Sequence, residues 1–149
     1  MQIFRDKITK LRIDWNERPM TEADFYRLCK QFKVTVIEMP LRVGGFYYRV
    51  MGKDFIAINS KLAGSQKLAV LFHELAHFLF HVPDSGVTAN FHGVGRPTRK
   101  EREADVFAFC AIIPLVWIET RTNHELIDDE GLPADMIAAR YKIFGQYGI

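Results

Sequence analysis

The sequence predicts an α+β fold in which a three-stranded antiparallel sheet follows an opening helix and further helices complete the chain. Three observations predict it. Short runs rich in β-branched and aromatic residues occupy the stretch from Val34 to Asn59, helix-start residues precede apolar-periodic segments on both sides of it, and turn residues punctuate each boundary. The 149 residues are 48% apolar and 26% charged, with no internal repeat or low-complexity tract, which describes one domain over 1–149 able to bury a sizeable core.

The elements follow in order. Thr21 and Asp24 are start signals for a helix running through Phe25, Leu28 and Phe32. Val34 to Met39 alternates as a strand. Phe46 to Met51 and Phe55 to Asn59, joined by Gly52-Lys53-Asp54, read as a β-hairpin with a half-buried face. Ser65 is placed to cap a helix through Gln66 and Phe72 to His81, with Pro83 ending it. That helix carries Leu68, Val70, Leu71, Phe72, Leu75, Phe78, Leu79 and Phe80, apolar nearly all round, as a fully buried helix reads. A second helix spans Thr98 to Cys110, opened by a Thr98/Glu101 capping box after Pro97 and closed near Pro114.

The buried helix contains His73-Glu74-Leu75-Ala76-His77. Residues four apart lie on one helix face, so both imidazoles can reach one ion while Glu74 leans toward a water beside it. Three ionisable side chains on such a helix are costly unless something compensates them, and a dication with its water does so. His81 lies near the helix end, where a histidine interacts favourably with the last carbonyls. Two histidines leave zinc short of a ligand, because catalytic sites usually hold three protein groups and an open position. Glu101 has a local capping task, so Glu103, in line with Phe107 and Cys110, is taken as the third ligand. Asp105 is its competitor, or else the acceptor that orients a ligand histidine through its other ring nitrogen.

HELAHFLFH followed by EREADVFAFCAIIP resembles the paired motifs of the ImmA/IrrE family of metallopeptidases, in which an HExxH helix precedes an ExEAxxFAxxLLMP-like helix. VGGFYYRVMGKDFIAINSKL is similar to the family's hairpin, and GLPADMIAARYKIFGQYG resembles its closing helical segment, so the likeness runs from about Val34 to the end. It implies a small zincin-like domain, with the sheet packed on the HExxH helix and on the second ligand-bearing helix. It further implies His73, His77 and Glu103 as Zn2+ ligands and Glu74 as general base. Ala76 stands where the family often has Gly, and Ile113-Pro114 where Met-Pro is common. There is no room for the helix-turn-helix domain that many members carry, so the chain is expected to be the peptidase domain alone.

The chemistry expected is promoted-water hydrolysis of a peptide bond, with Glu74 passing the proton from water to the leaving amine. A donor for the developing oxyanion is sought among Tyr47, Tyr48, His92 and Tyr141, and the loop from Asp84 to Pro97 is a candidate cover for the cleft. An exposed sheet edge beside the metal could receive an extended peptide. The resemblance implies a protein substrate, a repressor, whose cleavage releases genes of mobile elements or stress responses. A rival from another class is a zinc-stabilised module that docks to a repressor and hydrolyses nothing. A third reading, a small toxin, keeps the chemistry and changes the target. A net charge of +2 argues against direct nucleic-acid binding, and the absence of a leader or an 18-residue apolar run argues for the cytoplasm and against a membrane. Cys29 and Cys110 read as buried small hydrophobes in a reducing compartment.

Overall fold

The structure, a computed structural model, describes residues 1–81, 87–88 and 98–149. Among these the element order is α1 (Gln2–Leu11), α2 (Glu22–Phe32), β1 (Val34–Met39), β2 (Gly45–Val50), β3 (Lys53–Asn59), α3 (Gly64–Phe80), β4 (Val87–Thr88), α4 (Arg99–Ile112), α5 (Leu115–Thr120), α6 (Asn123–Asp128) and α7 (Ala134–Tyr147). The α+β expectation holds. So does the α2 start: Thr21 Oγ1 accepts from the Asp24 N–H, and Asp24 Oδ2 accepts from the Thr21 N–H at 2.8 Å, closing a capping box. The start expected for α3 does not hold. Its N-cap is Ala63, which makes no side-chain cap bond, in place of Ser65.

The sheet is mixed, in the order β1-β3-β2-β4, not purely antiparallel. β2 and β3 form the expected hairpin, with Val50 paired to Lys53 across a two-residue turn, Met51-Gly52. Both turn residues have positive φ, 51° and 73°, the type I′ requirement that matches the twist of the strands, and glycine meets it without strain. β1, however, pairs parallel with β3, Val34 to Asp54 through Met39 to Asn59. The segment 40–44 carries the chain past one strand's width, so β3 returns into the gap between β1 and β2. Asn59 fixes that crossing: its N–H donates to Gly44 O at 2.8 Å and its Nδ2 to Leu41 O at 3.1 Å. Gly45 then admits the close approach, since a Cβ there would stand 2.7 Å from Ala57 O.

The core lies between this sheet and α2, α3, α4 and α7. Phe72 on α3 meets Phe25 of α2 edge-on at 5.9 Å and Phe107 of α4 at 6.4 Å. Trp15 stacks on Phe107 at 6.0 Å and donates its indole N–H to Phe107 O at 2.9 Å. Every residue from Leu71 to His77 is buried, so the helix is covered on all faces over nearly two turns, as its composition predicts. Cys29 and Cys110 are buried free thiols, and burial pushes both up, to about 12 and about 11. No helix among the described residues is long and apolar enough to cross a membrane.

Candidate metal centre

α3 and α4 run side by side in opposite directions. The pairing of side chains shows this: His73 meets Asp105, and four residues further along α3, His77 meets Glu101, four residues back along α4. The i,i+4 spacing on each helix sets two histidines opposite two carboxylates. His73 Nε2 and His77 Nε2 stand 3.1 Å apart, and the Glu101 carboxylate oxygens lie 3.3 Å from the first and 3.2 Å from the second.

Each imidazole nitrogen meets a different oxygen of Glu101, and one ligand atom from each of the three residues lies within 4.8 Å of the others. Zinc bonds of about 2.0–2.1 Å at tetrahedral angles put neighbouring ligand atoms about 3.3–3.4 Å apart, close to the nitrogen–nitrogen distance and to each nitrogen–oxygen distance seen here. The donor set, two imidazoles and a carboxylate, is one that zinc takes in hydrolytic sites. Glu74, fully buried, follows His73 directly, and Asp105 lies on the other side of the same imidazole. The residues therefore fit a divalent cation.

Electrostatics points the same way. Burial works against a charge on His73, yet the hydrogen bonds to Asp105 and Glu101 outweigh it and hold its pKa up at about 10. His77 goes the other way, pushed down to about 3 by burial and then by the charge of His73. The pocket is thus arranged for positive charge at one point among its carboxylates.

The sequence expectation for Glu103 is not met by the geometry. Glu103 Oε2 lies 2.7 Å from His81 Nε2, and its other oxygen lies 3.7 Å from Arg99 Nε. The place beside both imidazoles belongs to Glu101, two residues earlier and so on a different face of α4. The spacing of Glu101 from Thr98 predicts a cap. Its backbone N–H does reach Thr98 Oγ1 at 3.2 Å, but that leaves the carboxylate to the histidines. The missed signal is the second i,i+4 pair, Glu101 with Asp105, which mirrors His73 with His77. Asp105 Oδ1 lies 2.9 Å from His73 Nδ1, the contact that its alternative role requires. His81, the C-cap of α3, is buried, with its Nδ1 3.1 Å from His77 Nδ1.

Tyr47 is buried and donates to Asp54 Oδ1 at 2.5 Å, and burial followed by that carboxylate raises its pKa. Tyr48 stacks on Phe55 at 4.9 Å, and Tyr141 packs against the core from α7. His92, Pro83 and all of the 84–97 loop except the β4 pair lie outside the described residues. Among the described residues, β1 and β4 are the outer strands of the sheet.

No curated protein and no solved structure matches the chain. One family does, over residues 29–144: the peptidase family M78, described as the IrrE N-terminal-like domain.

Proposed function

Because the chain belongs to the M78 peptidases with an IrrE N-terminal-like domain, we propose that it is a zinc-dependent endopeptidase that cuts a regulatory protein, a transcriptional repressor being the substrate class that the family likeness favours. His73, His77 and Glu101 would hold the ion, and Glu74 is the general base. The observation that carries this is the donor cluster, two imidazole nitrogens 3.1 Å apart with the two Glu101 oxygens 3.2 and 3.3 Å from them, flanked on α3 by a buried glutamate. When bound, the metal supplies Lewis acidity, acidifying a water and polarising a carbonyl.

The chain's own residues do the rest. Glu74 takes a proton from the attacking water and returns it to the amine that leaves, so the carboxylate is restored each turnover. Asp105, accepting from His73 Nδ1, keeps the lone pair of Nε2 turned toward His77 and Glu101. His73, Glu74 and His77 are themselves buried, so bulk water competes little for these groups.

The test is a pair of purified proteins. Wild type is expected to carry one zinc per chain and to cleave a repressor encoded beside it, with new termini located by mass spectrometry. Glu74→Gln is expected to retain the zinc and lose at least about a hundredfold in cleavage rate, the scale of general-base catalysis. Cleavage at the wild-type rate by that variant would remove Glu74 from its role.

A further inference from the structure

A chain of hydrogen bonds leads away from His77, and the inference it carries rests on the metallopeptidase reading. His77 turns its Nε2 toward His73 and Glu101, while its Nδ1 lies 3.1 Å from His81 Nδ1. His81 Nε2 in turn lies 2.7 Å from Glu103 Oε2. A carboxylate only accepts, so the last contact puts a proton on His81 Nε2. With one proton per imidazole, His81 Nδ1 is then bare and accepts. The 3.1 Å contact therefore needs a proton on His77 Nδ1, which leaves the lone pair of His77 on Nε2, where the other two donors converge.

We propose that His81 and Glu103 are positioning residues that fix the tautomer and ring orientation of His77 for metal binding. Glu103 reaches His77 through one intervening imidazole, whereas Asp105 reaches His73 directly. The local structure explains the difference. α3 ends at Phe80, and His81 leaves helical geometry at φ −129° and ψ 31°. In that position its imidazole lies against His77 on one side and against Glu103 of α4 on the other. Both relay side chains are shielded, at 4% and 15% exposure, so water competes little for these bonds.

Zinc dissociation constants of the full chain, measured by competition with a chromophoric chelator, test the relay. His81→Ala and Glu103→Ala are expected to weaken zinc 10–100-fold, the usual range for losing an outer partner of a ligand. Glu103→Gln, whose amide oxygen still accepts from His81 Nε2–H, is expected to restore affinity to within about threefold of wild type. Glu101→Gln serves as the ligand control and is expected to lose the most. Equal losses in Glu103→Gln and Glu101→Gln would make Glu103 a ligand and overturn the relay; wild-type affinity in both alanine variants would overturn it as well. Should the alanine variants fail to fold, 15N-resolved histidine spectra of the wild type decide. Nδ1–H on His77 with Nε2–H on His81 supports the relay, and the opposite tautomers refute it. A wild type that takes up no zinc sinks the metallopeptidase reading and the relay together, whereas zinc uptake with indifferent variants sinks the relay alone.

Discussion

At Glu101 the backbone N–H is 3.2 Å from Thr98 Oγ1 while the carboxylate lies 3.2 and 3.3 Å from the two imidazoles, so capping and the proposed ligation use different atoms of one residue. Substitutions can separate them. Thr98→Ala removes the cap acceptor and is expected to cost about 1 kcal/mol of stability with zinc content unchanged. Glu101→Gln keeps the N–H and the shape but loses the ligand charge, so zinc should fall well below one per chain after dialysis. Metal analysis beside urea denaturation distinguishes the two effects, and a full zinc complement in Glu101→Gln would contradict the assignment. The histidines and Glu74 were legible in the sequence because their spacing alone places them together on a buried helix. The place of Glu101 beside them was not, because it depends on how α4 is rotated against α3, and spacing within α4 does not fix that rotation.

Elements with local causes were legible on the same grounds. The α2 start at Thr21 and Asp24 and the pairing of β2 with β3 have such local causes, and both formed; the turn itself is Met51-Gly52, shorter than the Gly52-Lys53-Asp54 that the sequence suggests. β1 was misplaced because its parallel partner, β3, follows β2 in the chain and nothing in β1 itself names it. The α2 start also carries a pH prediction. Asp24 accepts from Arg18 Nη1 and Nη2 at 2.8 and 2.9 Å and from Arg27 at 2.9 Å. The Arg18 guanidinium and then the Thr21 N–H outweigh burial and hold the Asp24 carboxyl well below the usual carboxylate range. A folded pKa below the unfolded value of about 3.9 means stabilisation that is full above that pH and is lost as pH falls through the folded value. Asp24→Asn should therefore cost about 1–2 kcal/mol at pH 7 and progressively less in acid. Urea titrations at neutral pH and near pH 3 check this, and a gap that stays constant would show that charge at Asp24 is irrelevant.

Across the whole molecule, α4 links the site to the fold: its first two turns present Glu101 and Asp105, and the chain just past its end is held by a buried arginine. Arg140 of α7 donates Nε to Ile113 O at 2.7 Å, Nη1 to Ile149 O at 2.6 Å and Nη2 to Asn16 Oδ1 at 3.1 Å. Two of its three acceptors, on Ile113 and Asn16, lie far from it in the chain, and only the assembled fold brings them around it. Arg140→Met fills similar volume and takes the donor from the Ile113 and Ile149 oxygens, while Asn16 Oδ1 keeps the Leu115 N–H at 2.8 Å, which points to a loss of at least about 2 kcal/mol and, for a chain of this size, about 4–8 °C in Tm. Saturating zinc at a hundred times its dissociation constant adds about 2.7 kcal/mol to any form that keeps the donor cluster. Because Arg140 is anchored at the far end of α4, the two effects should add, with zinc raising the Tm of the wild type and of Arg140→Met in parallel. Thermal melts of both proteins with zinc and with chelator measure this. A folded Arg140→Met with no zinc-dependent shift would show instead that the two ends of α4 are coupled, and that the buried arginine helps to set the geometry of the metal centre.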